Sequence, residues 1–182
     1  MNIRLAAAEI HIPRQLREKW LRRLFTLTAR AFGCDAAFVS GLPFAGMTEE
    51  FARFTSEKST ACLQDEEAAL EIACRLRELA FAFGQEFRIV LRLRSRTEVM
   101  RAGRLLYRVL GIDFRGSSGG GITVTKCSFA RYYSPEACEF ISVIDEGILA
   151  GLAGGGSLSF KGRITGNMPS CTAFFRFPEE LP

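Results

Sequence analysis

The apolar positions of the N-terminal half recur at helical steps. In RQLREKWLRRLFTLTARAF, residues 14 to 32, Leu16, Trp20, Leu24, Leu27 and Ala31 fall three or four residues apart with arginines between them. This spacing predicts an amphipathic helix entered through Pro13 and ended by Gly33. Gly41, Pro43 and Gly46 break any period in the next stretch, which reads as a loop. Thr48 is then the expected N-cap of a second helix, with Glu49 and Glu50 in its first turn. A third helix is expected from Asp65 to about Phe83, stopped by Gly84. Residues 85–94 (QEFRIVLRLR) fit either state: Ile89, Leu91 and Leu93 alternate with arginines as in a strand, yet the run also extends a helix. Ser95 followed by Glu98 is a capping-box pattern, opening a fourth helix from Arg96 to Leu110.

Beyond Gly111 the pattern shortens to alternating runs punctuated by glycine, which predicts antiparallel strands. IDFR and GITVTKC form one expected hairpin around Gly116 to Gly120, and LSFKGRI and CTAFFRF a second around TGNMPS. Between them a helix over 135–152 starts at Ser134 and Pro135 and ends at the Gly154–Gly156 triplet. The expected fold is α+β: one domain over 1–182, with a mainly helical half (1–111) and a C-terminal sheet half (112–182) of about four strands.

Composition narrows the class. At 182 residues the chain can bury one substantial core. No apolar run approaches the roughly 18 residues of a membrane span, and the opening MNIRLAAAEIHIP carries neither a secretory signal nor an anchor pattern, so a cytoplasmic protein without a membrane partner is expected. Six cysteines without a CxxC pair fit free, reduced thiols. Arginine outnumbers lysine 20 to 4, and eight arginines lie between Arg88 and Arg115. That stripe lacks interleaved aromatics and reads as a solvated face, which disfavours nucleic acid as a partner. A homo-oligomer stays open.

One acid stands out. On a helical wheel Ala137, Phe140, Ile141, Ile144, Ile148 and Leu152 share an arc, and Asp145 falls on its margin, two turns after Cys138. An ionised carboxylate leaving water needs a cation, several N–H donors, or a raised pKa, and an acid so placed is a candidate catalytic group. Cys127 shares the strand parity of Thr123 and Thr125, a face that opens onto a pocket; Cys171 shares that of Ala173 and Phe175. Cys127, Cys138, Cys171 and Asp145 include zinc-ligand types, but gaps of eleven and thirty-three residues are not structural-zinc spacing, so no metal is expected. His11, the single histidine, lies far along the chain from these groups, and no phosphate-binding glycine loop is present, so no cofactor is expected.

The order VTKCSFARYY, CEFISVIDEGILAGL and LSFKGRITGNMPSCTAFFRF resembles the C-terminal part of the L-2-amino-thiazoline-4-carboxylic acid hydrolase family. Cys127, Tyr132 or Tyr133, Cys138, Asp145, Gly166 and Cys171 occupy the matching positions; Thr172 departs from the aspartate that members often carry there. The resemblance covers about residues 120–177. It implies a hydrolase acting on non-peptide C–N bonds, opening the ring of a small cyclic amidine. Asp145 would accept the amidinium N–H groups, with Cys127 as nucleophile or water-positioning group. Arg131 would hold the substrate carboxylate, and Tyr133, Cys138 and Cys171 would complete the binding site. The same rhythm is more loosely similar to small-molecule-binding domains of the 4-vinyl reductase type, which implies an apolar ligand in a pocket lined by Phe140, Ile144, Phe175 and the cysteines, without catalysis.

Overall fold

The computed structural model describes residues 2–35 and 42–182. Its elements run α1 (Ile3–Ile10), α2 (Arg14–Ala31), α3 (Phe44–Cys62), α4 (Glu66–Leu91), α5 (Arg96–Val109), β1 (Phe114–Gly116), β2 (Gly121–Val124), α6 (Pro135–Ile141), α7 (Val143–Ala153), β3 (Ser157–Gly162) and β4 (Cys171–Arg176), with a 3₁₀ turn at Ile164–Gly166. This is the α+β arrangement the patterns predict. Among the described residues no helix is long and apolar enough to cross a membrane.

Several boundaries move, each for a local reason. Residues 3–10 form an additional helix capped by the Asn2 side chain, which accepts from Leu5 N–H and donates to the Leu91 carbonyl at 2.8 Å. The expected loop over 33–47 lies partly outside the described residues, and α3 starts at Phe44, just after Pro43, rather than at Thr48. Thr48 is therefore inside the helix, where its hydroxyl donates to the Phe44 carbonyl. The expected stop at Gly84 does not occur: α4 continues to Leu91 and ends at Arg92, whose φ is +53°. Residues 85–91 are thus helical, which resolves their ambiguity.

Gly84 continues the helix because its bare face is a contact. A Cβ built on Gly151 of α7 would lie 2.7 Å from Gln85 N and 2.9 Å from the Gly84 Cα, and one on Gly147 would lie 2.7 Å from the Ala80 Cβ. The two helices meet backbone to backbone along these glycines, closer than side chains allow. This pairing seats α7, apolar nearly all round, in the middle of the core.

The expected helix over 135–152 is two helices with Ser142 between them. Ser142 turns its hydroxyl onto the Glu139 carbonyl at 2.6 Å, supporting the local break. Ser134 caps α6 through Ala137 N–H, and Gly154, at φ +82°, closes α7. The two hairpins join in the order β1-β2-β4-β3, all antiparallel, because β4 pairs with both β2 and β3. Phe114, Ile122, Ala173 and Phe175 face the helices, while Arg115, Phe174 and Arg176 face outward. Much of the arginine stripe is tied down: Arg101 bonds Glu9 at 2.9 Å, Arg108 reaches the Glu9 carbonyl, Arg96 donates to the Leu181 carbonyl, and Arg115 pairs with Asp113.

Candidate functional site: an acid in an apolar cavity

The sheet's inner face and the α6–α7 pair do not close fully on each other. They leave a cavity of about 100 Å³, against roughly 10–15 Å³ needed for one water. Leu24, Phe51, Ile122, Ile148, Leu158 and Phe160 supply much of its apolar wall. Phe140 and Phe175, expected in that wall, are buried elsewhere, Phe140 against Phe32 and Phe175 edge-on to Phe177, whereas Ile144 does line it.

Among the described residues Asp145 is the one carboxylate in the wall. Helical periodicity from Ile144 and Ile148 turns it toward the sheet, and its residual exposure opens into the cavity. The Tyr107 hydroxyl, from α5, donates to its Oδ1 at 2.7 Å. Tyr107 is itself fixed by burial and by stacking on Phe114, centroids 4.8 Å apart at 7° between planes. Burial pushes the Asp145 carboxyl up to about 6, against the opposing pull of the Tyr107 hydrogen bond and the Arg163 charge. The Tyr107 hydroxyl is raised in turn by burial and by the Asp145 charge, so it stays a donor.

Three thiols share the cavity. The sequence places Cys127 at a strand end, but β2 stops at Val124; the following turn, not strand parity, directs the thiol inward. Burial raises it to about 11, outweighing the help of the Phe129 and Ala130 backbone groups, so it is a neutral thiol at neutral pH. Burial raises Cys138 as well. Cys171 lies on the inner face with Ala173 as its parity requires, and its sulfur accepts from Ile164 N–H at 3.3 Å. Among the described residues no three histidine, cysteine or acidic side chains stand close enough to share a metal ion.

Of the tyrosine pair, Tyr133 faces the cavity and shares a 2.6 Å hydrogen bond with Thr55 Oγ1, while Tyr132 faces out between the Arg53 and Arg131 guanidiniums. Arg131, expected to hold a carboxylate, is exposed over the Tyr132 ring at 4.7 Å and does not line the cavity. The cation acting on Asp145 is Arg163, at the end of β3, which sits 4.1 Å over the Phe160 ring and donates through Nη2 to Ser142 Oγ at 3.0 Å. Cys127, Tyr133, Cys138, Asp145 and Cys171 thus meet at one cavity. Tyr107, Ser142 and Thr165 in the wall, and Arg163, which is outside it and bonds Ser142, are the polar groups that sequence reasoning missed. A tyrosine on the otherwise apolar face of α5 was the available signal for the first; the others became visible only through the turn after β3.

The chain matches no protein-family model, no curated protein and no solved structure. The cavity's chemistry and the C-terminal resemblance therefore carry the functional reading.

Proposed function

We propose that the cavity binds a small cyclic amidine and opens its ring by hydrolysis, the activity the C-terminal resemblance implies. The observation that carries this reading is Asp145: a carboxylate in a largely apolar wall, oriented by Tyr107, with a pKa of about 6. At neutral pH it is mostly ionised and accepts the amidinium N–H groups, yet its pKa is close enough to the surroundings for a proton to move on and off. Asp145 takes a proton as water adds to the amidine carbon. It returns that proton to the ring heteroatom as the heteroatom's bond to the same carbon breaks, and the added hydroxyl gives its remaining proton to solvent as the carbonyl forms. Cys127, with its thiol at about 11, acts in this scheme as the group that positions water rather than as an attacking thiolate.

Turnover of 2-amino-2-thiazoline-4-carboxylic acid, followed by mass spectrometry of the ring-opened product, tests the reading. Asp145→Asn is expected to lose about 100-fold or more, and Cys127→Ser to retain most activity because serine also holds a water. Full activity of Asp145→Asn overturns the assignment.

A second reading, non-catalytic binding of an apolar ligand, is favoured by one feature: the wall is overwhelmingly hydrocarbon. Native mass spectrometry of the purified protein separates the two. A co-purified hydrophobic molecule together with no turnover selects the second.

A further inference from the structure

The cavity wall carries charge of one sign only. Among the described residues no lysine, arginine or histidine lines it, and the stretch AAFVSG at 36–41, outside them, contains none either. Arg163, the cation acting on Asp145, lies outside the wall, with Nη2 on Ser142 Oγ at 3.0 Å and its guanidinium over the Phe160 ring. Its Nε and the Thr165 hydroxyl oxygen are fully buried and present no surface to an occupant. The other hydroxyls of the wall have committed their protons. Tyr107 donates to Asp145 Oδ1, and Ser142 to the Glu139 carbonyl. Thr55 Oγ1 donates to the Phe51 carbonyl at 2.7 Å, which leaves Tyr133 as the donor in the bond between Thr55 and Tyr133. The Cys127 thiol, near 11, is neutral and a weak donor.

We infer that the cavity takes a compact amidine or amine whose remaining body is hydrocarbon, and that it rejects a molecule carrying an anionic group. A carboxylate brought inside meets no cation and no uncommitted hydroxyl proton, and it stands in one small space with the Asp145 carboxylate, so its lost hydration is not replaced. A hydrocarbon arm meets Leu24, Ile122, Ile148 and Leu158 and gains by leaving water. Arg131, the expected holder of a substrate carboxylate, is out on the Tyr132 ring. At roughly 10–15 Å³ for each water-sized group, the cavity's volume of about 100 Å³ holds a five-membered amidine ring with a short alkyl arm. Behind Leu24, Leu110 and Ile148 lies a second apolar hollow of about 20 Å³, so that side of the wall is backed by space, not by tight packing. The inference rests on the proposed function for the amidine pole and narrows its substrate class: an acid group on the ring lowers affinity and an alkyl group raises it.

Three probes that differ only at ring position 4 test this by isothermal titration of the wild-type protein at pH 7.5: 2-amino-2-thiazoline, its 4-propyl derivative and its 4-carboxylate. The propyl compound is expected to bind about tenfold to fiftyfold tighter than the parent, and the carboxylate about tenfold or more weaker. Asp145→Asn, which removes both the attraction for the amidinium and the repulsion of the acid, should narrow the gap between parent and carboxylate by about threefold or more. A carboxylate that binds as tightly as the parent, a propyl arm that weakens binding, a gap unchanged in Asp145→Asn, or no binding of any probe would refute the inference. Mass spectrometry of the same mixtures keeps the two readings apart. Affinities in the expected order with no ring-opened product overturn the hydrolytic reading and leave the ligand class standing, whereas the 4-carboxylate binding most tightly and being turned over fastest overturns the ligand class and leaves hydrolysis standing.

Discussion

Asp145→Asn should make this protein more stable at neutral pH, by an amount that depends on pH in a defined way. The Asp145 carboxyl titrates at about 6 in the folded chain against an ordinary aspartate value of 3.8. A folded-state pKa above the unfolded one means that the native state binds the proton more tightly, so ionisation destabilises the fold. The penalty is absent below the unfolded pKa, grows as pH rises between the two values, and is complete above about 6. Its full size is the two-unit gap at ~1.36 kcal/mol per unit, about 3 kcal/mol. Asparagine mimics the protonated acid: it is neutral, nearly isosteric, and its amide oxygen can accept the Tyr107 hydroxyl. The variant should therefore exceed wild type by about 1 kcal/mol at pH 4.5 and about 3 kcal/mol at pH 7.5. For a chain of this size the latter is a rise of roughly 6–12 °C in Tm. Urea unfolding of both proteins at the two pH values measures the gap directly. Other carboxylates, such as Glu9 and Asp113, whose partners hold them below their ordinary range, titrate in both proteins and cancel in the difference. A gap that stays flat with pH, or a variant less stable at pH 7.5, would mean that the carboxylate is as well solvated in the fold as out of it. The case for a functional acid would go with it.

Other outcomes follow from the same geometry. Tyr107→Phe removes the hydroxyl 2.7 Å from Asp145; it should move the carboxyl above its present value of about 6, visible by NMR titration, and lower stability at pH 7.5 by about 1–2 kcal/mol. An unmoved titration would show that this bond contributes little. Gly151→Ala forces a Cβ into the α4 backbone beside Gln85 and Gly84 and should cost about 1–3 kcal/mol or more; an unchanged urea midpoint would show that α4 and α7 are not in backbone contact. With iodoacetamide at pH 7.5, peptide mapping should find exposed Cys74 modified early and Cys127 late, because the latter's thiol sits near 11. Rapid labelling of Cys127 would restore it as a thiolate nucleophile.

The sequence by itself determined the elements whose signals are local. The apolar spacing of α2, the Asp65 and Ser95 caps of α4 and α5, the Ser134–Pro135 start of α6 and the strand alternation of β4 all act within a turn or two of chain. That Asp145 would stand at the edge of a hydrocarbon face was legible for the same reason. Only the tertiary structure decided what that acid meets. Gly84 reads as a helix stop until α7 is laid against it, and then its missing side chain is the reason for the close crossing. Tyr107, 38 residues away, and Arg163, across the last hairpin, become the partners of Asp145 because β4 inserts beside β2 and draws the turn after β3 onto the α6–α7 break. Arg131, nearer along the chain, turns out onto Tyr132. Backbone preference is settled by neighbours in sequence, whereas the fate of a buried charge depends on which distant donors packing brings within about 3 Å, a distance that no local pattern encodes.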